Sequence, residues 1–91
     1  MSSSTLDFEA FEKKTASTID NARSLDEIEA WLRSQQGVRS VQLADYLMKS
    51  NPPQREFLVE FNMQDSSTVR KIINIFDLGN QQFEFHELRD E

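Results

Sequence analysis

The amino-acid sequence predicts an α+β domain, a small three-stranded sheet with helices on one of its faces. The clearest observation is the segment Arg55–Met63, in which a large apolar side chain occupies every second position. That period of two is typical of a strand with one buried face. The second observation is Ser24-Leu25-Asp26-Glu27, where Ser24 and Glu27 are spaced as a helix capping box. Ninety-one residues, 37 % of them hydrophobic, are typical of one globular domain.

Two helices are predicted at the start of the chain. Apolar residues at helical spacing predict an amphipathic helix over Leu6–Ala22, with a short edge strand over Leu6–Ala10 as the alternative. The capping box begins a second helix, Leu25–Gln36, and Gly37 follows as the left-handed stop. Residues 1–5 are polar and are expected to be disordered, which leaves residues 6–91 as the domain.

The remaining elements complete the predicted order α-α-β-β-α-β. The strand region Val38–Met48 loses its alternation beyond Asp45, where we expect a bulge or the start of a loop, and it should form an antiparallel hairpin with Arg55–Met63. Apolar residues at i, i+3, i+4 and i+7 predict a third helix over Val69–Leu78. Gln82–Leu88 alternates again and is predicted as the last strand.

From Ser24 onward, this order resembles a ferredoxin-like unit that lacks its first strand. The resemblance covers about three quarters of the chain, and it implies an architecture without implying a function. The strand Arg55–Met63 would then pair in parallel with Gln82–Leu88, or an open edge would be filled by another chain.

The predicted core combines the apolar face of each element. Truncation of a core residue such as Phe61 should therefore destabilise the domain far more than truncation of its neighbour Glu60. The predicted inward-facing residues are Leu25, Ile28, Leu32, Val38, Val41, Leu43, Phe57, Val59, Phe61, Met63, Val69, Ile72, Ile73, Phe76, Phe83 and Phe85.

Composition excludes several classes of function. The formal net charge of −6 and the scattered basic residues argue against nucleic-acid binding. The absence of cysteine excludes disulfides and thiolate metal sites, and no glycine-rich phosphate-binding motif occurs. No apolar run is long enough to cross a membrane and no secretory signal is recognisable, so we expect a cytoplasmic protein without a cofactor.

Four polar residues near the predicted outward face are the candidates for binding. Glu56, Glu60 and Glu84 share one parity and predict an acidic surface that attracts a basic protein partner. His86 is the only histidine and lies beside Glu84 in the same strand. A small enzyme or ligand-binding subunit with a pocket near His86 is therefore the alternative to a non-enzymatic interaction or regulatory module.

Three aromatic residues are the candidates for contacts with a partner or a second copy. Trp31 lies beside the apolar stripe of the second helix and would be an interface anchor if it were exposed. Phe8 and Phe11 belong to a thin apolar stripe, and we expect their burial to require more surface than one chain offers. This predicts a homodimer built on the N-terminal helix or on a sheet edge.

Overall fold

The computed structural model describes residues 7–44 and 51–91 of the chain. Two helices are followed by four strands, which form one antiparallel sheet in the order β1-β2-β3-β4. Both helices pack on the same face of this sheet, the inner face, and the opposite face is called the outer face. The elements are α1 (Phe8–Asn21), α2 (Leu25–Arg33), β1 (Val38–Leu43), β2 (Gln54–Asn62), β3 (Thr68–Gly79) and β4 (Gln82–Asp90).

The predicted order and the three-stranded sheet are wrong, because the segment predicted as a third helix is the strand β3. With β3 between β2 and β4, the predicted parallel pairing of those two strands is also wrong, and the ferredoxin-like resemblance no longer holds. The β3 segment contains Val69, Ile72, Ile73 and Ile75, and β-branched side chains favour strands. Its helical spacing misleads because apolar residues lie on both faces of a central strand.

The new assignment of β3 changes the predicted core at three positions. Ile72 pairs with Leu58 and Phe76 pairs with Gln54, so both were wrongly placed on the inner face. Ile75, which was missing from the predicted set, is fully buried with Ile73 among the core residues. The predicted alternation of β2 is confirmed, since Phe57, Val59 and Phe61 have no exposed surface.

Aromatic rings join the first helix to the centre of the sheet. The ring of Phe61 on β2 makes edge-to-face contacts with the rings of Phe8 and Phe11. The ring centroids are 5.1 Å apart for Phe8 and 5.2 Å apart for Phe11, and the ring planes are nearly perpendicular. Phe11 also stacks on Trp31 of α2, at 6.1 Å between centroids. These arrangements are favourable for aromatic pairs and add to the burial of apolar area.

The limits predicted for the first two helices are largely confirmed. The side chain of Asp7 accepts hydrogen bonds from the amides of Glu9 and Ala10, and the hydroxyl of Ser24 accepts one from Glu27. The carboxylate of Glu27 accepts from the amide of Arg23, one residue earlier than the capping box predicts. α2 ends at Arg33, before the predicted Gln36, and Gly37 has the expected positive φ of 87°.

At each edge of the sheet, a helix side chain forms a hydrogen bond with the backbone of the edge strand. The guanidinium of Arg33 on α2 donates to the carbonyl oxygen of Val41 on β1, at 2.8 Å. The carboxylate of Asp20 on α1 accepts from the amide of Phe85 on β4, at 3.2 Å. Side chains that occupy edge groups in this way obstruct pairing with another strand.

The hairpin between β3 and β4 has a tight turn and two shifts of register, one between Asp77 and Gly79 and one between Asn74 and Ile75. Asn80 and Gln81 at its tip both have positive φ, of 55° and 62°, the conformation of a type I′ turn. The register then shifts so that Asn74 pairs with Glu87 and Ile75 with Phe85, which leaves His86 as the extra residue. The strand β4 itself continues to Asp90, two residues beyond the predicted end at Leu88.

The predictions for residues 1–5 and for the loop or bulge after Asp45 fall in segments 1–6 and 45–50, which are outside the described residues. The antiparallel hairpin of β1 and β2 on either side of the second segment is confirmed.

Candidate interaction surface

The outer face of the sheet combines a central apolar pair with polar side chains on both sides. Leu58 on β2 and Ile72 on β3 are directly opposite each other and half-buried. Their neighbours in the same row are Gln42 on β1 and Arg89 on β4. No described helix packs on this face. An apolar pair with a polar surround is the usual composition of a protein-binding surface.

On one side of this pair, three polar side chains form a closed triangle. Asn74 and Arg89 both donate to the carboxylate of Glu56, at 3.0 and 2.9 Å, and Arg89 also donates to the amide oxygen of Asn74, at 3.2 Å. The side chain of Glu56 is only 8 % exposed and that of Arg89 is 44 % exposed. This Glu56 triangle links β2, β3 and β4, and it satisfies a carboxylate that would otherwise be costly to bury.

On the other side of the pair, a row of alternating charge runs across the strands. The carboxylate of Glu60 accepts from the hydroxyl of Ser40, at 2.8 Å, and from the guanidinium of Arg70, at 2.9 Å. Arg70 also lies 3.5 Å from the carboxylate of Glu91. These four residues are called the Glu60 row. The Ser40 hydroxyl and the Arg70 guanidinium hold the pKa of Glu60 below its usual value, because both stabilise the ionised form.

The structure places the three predicted glutamates on the outer face but gives them different surroundings. Glu56 is buried in its triangle, and Glu60 is neutralised by Arg70. Glu84 is exposed and opposite Phe76. The outer face is therefore less acidic than the parity of the glutamates suggests. Excess negative charge also lies on the helices, where Glu9, Glu12 and Asp26 form no ion pair within residues 7–44 and 51–91.

A cavity of about 290 Å³ opens on the outer face beside the apolar pair. Leu58 and Ile72 form its apolar part, with Gln42 and Ala44 of the β1 segment on one side. The carboxylates of Glu56 and Glu91 also line it, and no lysine or arginine does. A second, more open groove of about 650 Å³ lies at the end of the sheet and is lined by charges of both signs, including Arg39, Arg70 and Asp90.

His86, the residue on which the alternative function depends, lies on the surface away from both cavities. As the bulged residue of β4 it is exposed, and its ring is 4.6 Å from that of Phe76. A bulge commonly redirects a side chain, and here it places the imidazole against an aromatic ring. His86 lines neither of these two cavities.

The aromatic candidates are packed within their own chain. Phe11 is buried, and Phe8 and Trp31 are half-buried at the edge of the core. The ammonium of Lys71 lies 4.5 Å from the centre of the Phe8 ring and also pairs with Asp90. This packing removes the reason for which Phe8 and Phe11 were expected to need a second copy, and self-association stays a prediction.

The sequence reading missed Asn74, Arg89, Leu58 and Ile72 as parts of this surface. Asn74 and Ile72 lie in the segment that was predicted as a helix, so their pairing with Glu56 and Leu58 of β2 could not be derived. Leu58 offered a signal, because it is an apolar residue on the polar parity of β2. An apolar side chain at such a position marks a patch on the open face.

The comparisons with known proteins give no relative. Searches against protein-family models, curated proteins and solved structures found no match. Within residues 7–44 and 51–91, no helix is long and apolar enough to cross a membrane, and no three acidic or histidine side chains are grouped as metal ligands.

Proposed function

We propose that this protein is a non-enzymatic interaction module that binds a basic protein partner on the outer face of its sheet. The observation that carries the proposal is the partly buried apolar pair Leu58 and Ile72, which lies between the Glu56 triangle and the Glu60 row on a face that no described helix covers. Apolar contact at the centre supplies affinity, and the fixed charges around it supply orientation and specificity.

The basic character of the partner follows from charge. The chain has a formal net charge of −6, and the ionisable groups that line the cavity beside the apolar pair are both carboxylates. An acidic protein accelerates its encounter with a basic partner and repels acidic competitors. The outer face is small, so the expected complex is of the transient kind with modest buried area.

The test is affinity capture from the source lysate with the wild-type protein and two variants. Leu58→Lys places a positive charge at the centre of the outer face, where it repels a basic partner, and Leu78→Lys makes the same change at an exposed position at the end of β3. Proteins captured by the wild type and by Leu78→Lys should be lost with Leu58→Lys, and their capture should weaken at high salt.

Thermal unfolding of both variants must show that each is folded at the capture temperature. If folded Leu58→Lys captures the same proteins as the wild type, the outer face is not the binding surface. If the captured proteins are insensitive to salt and acidic in composition, the proposed charge complementarity is wrong.

A further inference from the structure

The cavity on the outer face has the dimensions and lining of a site for one side chain. Its volume of about 290 Å³ is just below the range of about 300–1,000 Å³ that is typical of pockets for whole ligands. Leu58 and Ile72 supply an apolar wall, and the polar groups are Gln42, Glu56 and Glu91. A long side chain with an apolar stem and a cationic head matches this arrangement.

We infer that the cavity receives a single lysine or arginine side chain of the partner protein, an inference that rests on the proposed function. The stem of that side chain lies along Leu58 and Ile72, and its charged head reaches the carboxylates. No basic residue lines the cavity itself, but Glu56 and Glu91 each pair with an arginine beside it, so an incoming cation shares these carboxylates with Arg89 and Arg70.

The two carboxylates have different roles in this arrangement. Glu56 is 8 % exposed and is already held by Asn74 and Arg89, so it contributes a fixed negative potential. Glu91 is 45 % exposed, and its one ion pair, with Arg70, is long at 3.5 Å. Arg70 keeps its shorter bond to Glu60 when Glu91 turns away. Glu91 is therefore the direct partner of the incoming head group.

The probe that tests this inference is Nα-acetyl-arginine methylamide, with the corresponding citrulline derivative as a neutral control of nearly the same shape. Two-dimensional NMR of the labelled protein should show shifts of the Leu58, Ile72 and Gln42 amides with the arginine compound, at affinities in the millimolar range. The citrulline compound should leave those amides unchanged. Equal shifts with both compounds, or none at these amides, would overturn the inference.

Two matched variants locate the charge that is recognised. Glu91→Gln should weaken binding of the arginine probe by about two- to five-fold, the range for a partly exposed ion pair. Glu84→Gln removes the same charge from an exposed position outside the cavity and should leave the affinity unchanged. An identical effect of the two variants would show that the probe responds to net charge and not to the cavity.

Two other possible occupants of the cavity are tested by separate controls. Shifts of the Leu58 and Ile72 amides on dilution alone would show that a second copy of the chain fills the cavity, which overturns the inference. The same holds if Lys49→Met, a change in segment 45–50, shifts these amides and increases probe binding, since the chain would then supply its own cation. If the wild-type protein does not bind the arginine probe but Leu58→Lys still abolishes capture, this inference is rejected and the proposed function stands.

Discussion

Leu58 and Phe61 lie on the same strand, three residues apart, in opposite environments. Phe61 is fully buried on the inner face against the rings of Phe8 and Phe11. Leu58 is only partly buried on the outer face, between the Glu56 triangle and the Glu60 row. The inner face is held by apolar area removed from water, and the outer face by hydrogen bonds and ion pairs between strands. The difference shows that the two faces of one sheet are stabilised by different interactions, and that the outer face keeps an apolar pair that no described helix covers.

The largest change in stability is expected when an aromatic ring is removed from the inner face and compared with the same change on the outer face. Phe61→Ala should lower the free energy of unfolding by about 3–5 kcal/mol, because a cavity forms under two aromatic contacts. Phe76→Ala makes the same change on the outer face, where the ring is half-buried against His86, and should cost about 1 kcal/mol. Denaturant titration measures both, and equal costs would contradict the division of the two faces.

The next test breaks the buried triangle on the outer face. Glu56→Ala removes the acceptor shared by Asn74 and Arg89 and should cost about 1–3 kcal/mol, since Asn74 is left buried while Arg89 can turn to water. Glu84→Ala, on the same face but exposed, should have no measurable cost. If Glu56→Ala is equally neutral in urea titration, the triangle does not stabilise the sheet.

A third test concerns the backbone, which neither face controls. Gln81 has a φ of 62° at the tip of the β3–β4 hairpin, a conformation that is unfavourable for a residue with a Cβ atom. Gln81→Gly should therefore raise the free energy of unfolding by about 0.5–1 kcal/mol. A fall in the thermal midpoint would show that the Gln81 side chain makes a contact that outweighs the strain.

The smallest effect is expected at the exposed ion pair of the outer face, and it depends on pH. The pKa of Glu60 is lowered in the folded protein by Ser40 and Arg70, so ionisation of Glu60 favours folding above the usual glutamate range. This contribution is present at neutral pH and is lost as the pH falls through the lowered pKa. The wild type should exceed Glu60→Gln in stability at pH 7, and the difference should vanish in strong acid. A difference independent of pH would reject the electrostatic cause.

The sequence predicted the elements whose signals are local and unambiguous. The strand β2 was recognisable because its alternation runs over nine residues, and α2 because Ser24 and Gly37 mark its limits. The strand β3 was not, because a central strand bears apolar side chains on both faces and can match a helical period by chance. With β3 misassigned, neither the partner of Leu58 nor the triangle around Glu56 could be derived.

The hydrogen bond between Asp20 and Phe85 also has a consequence for how the chain folds. Every strand pairs with its neighbour in sequence, so the sheet can form by the successive closure of short hairpins. Asp20 and Phe85 are instead 65 residues apart in the sequence. Bringing them together closes a loop that contains most of the chain, which costs more conformational entropy than closing a hairpin. We therefore expect α1 to dock late, on a sheet that is already assembled. Substitutions at this contact should accelerate unfolding while leaving the refolding rate nearly unchanged.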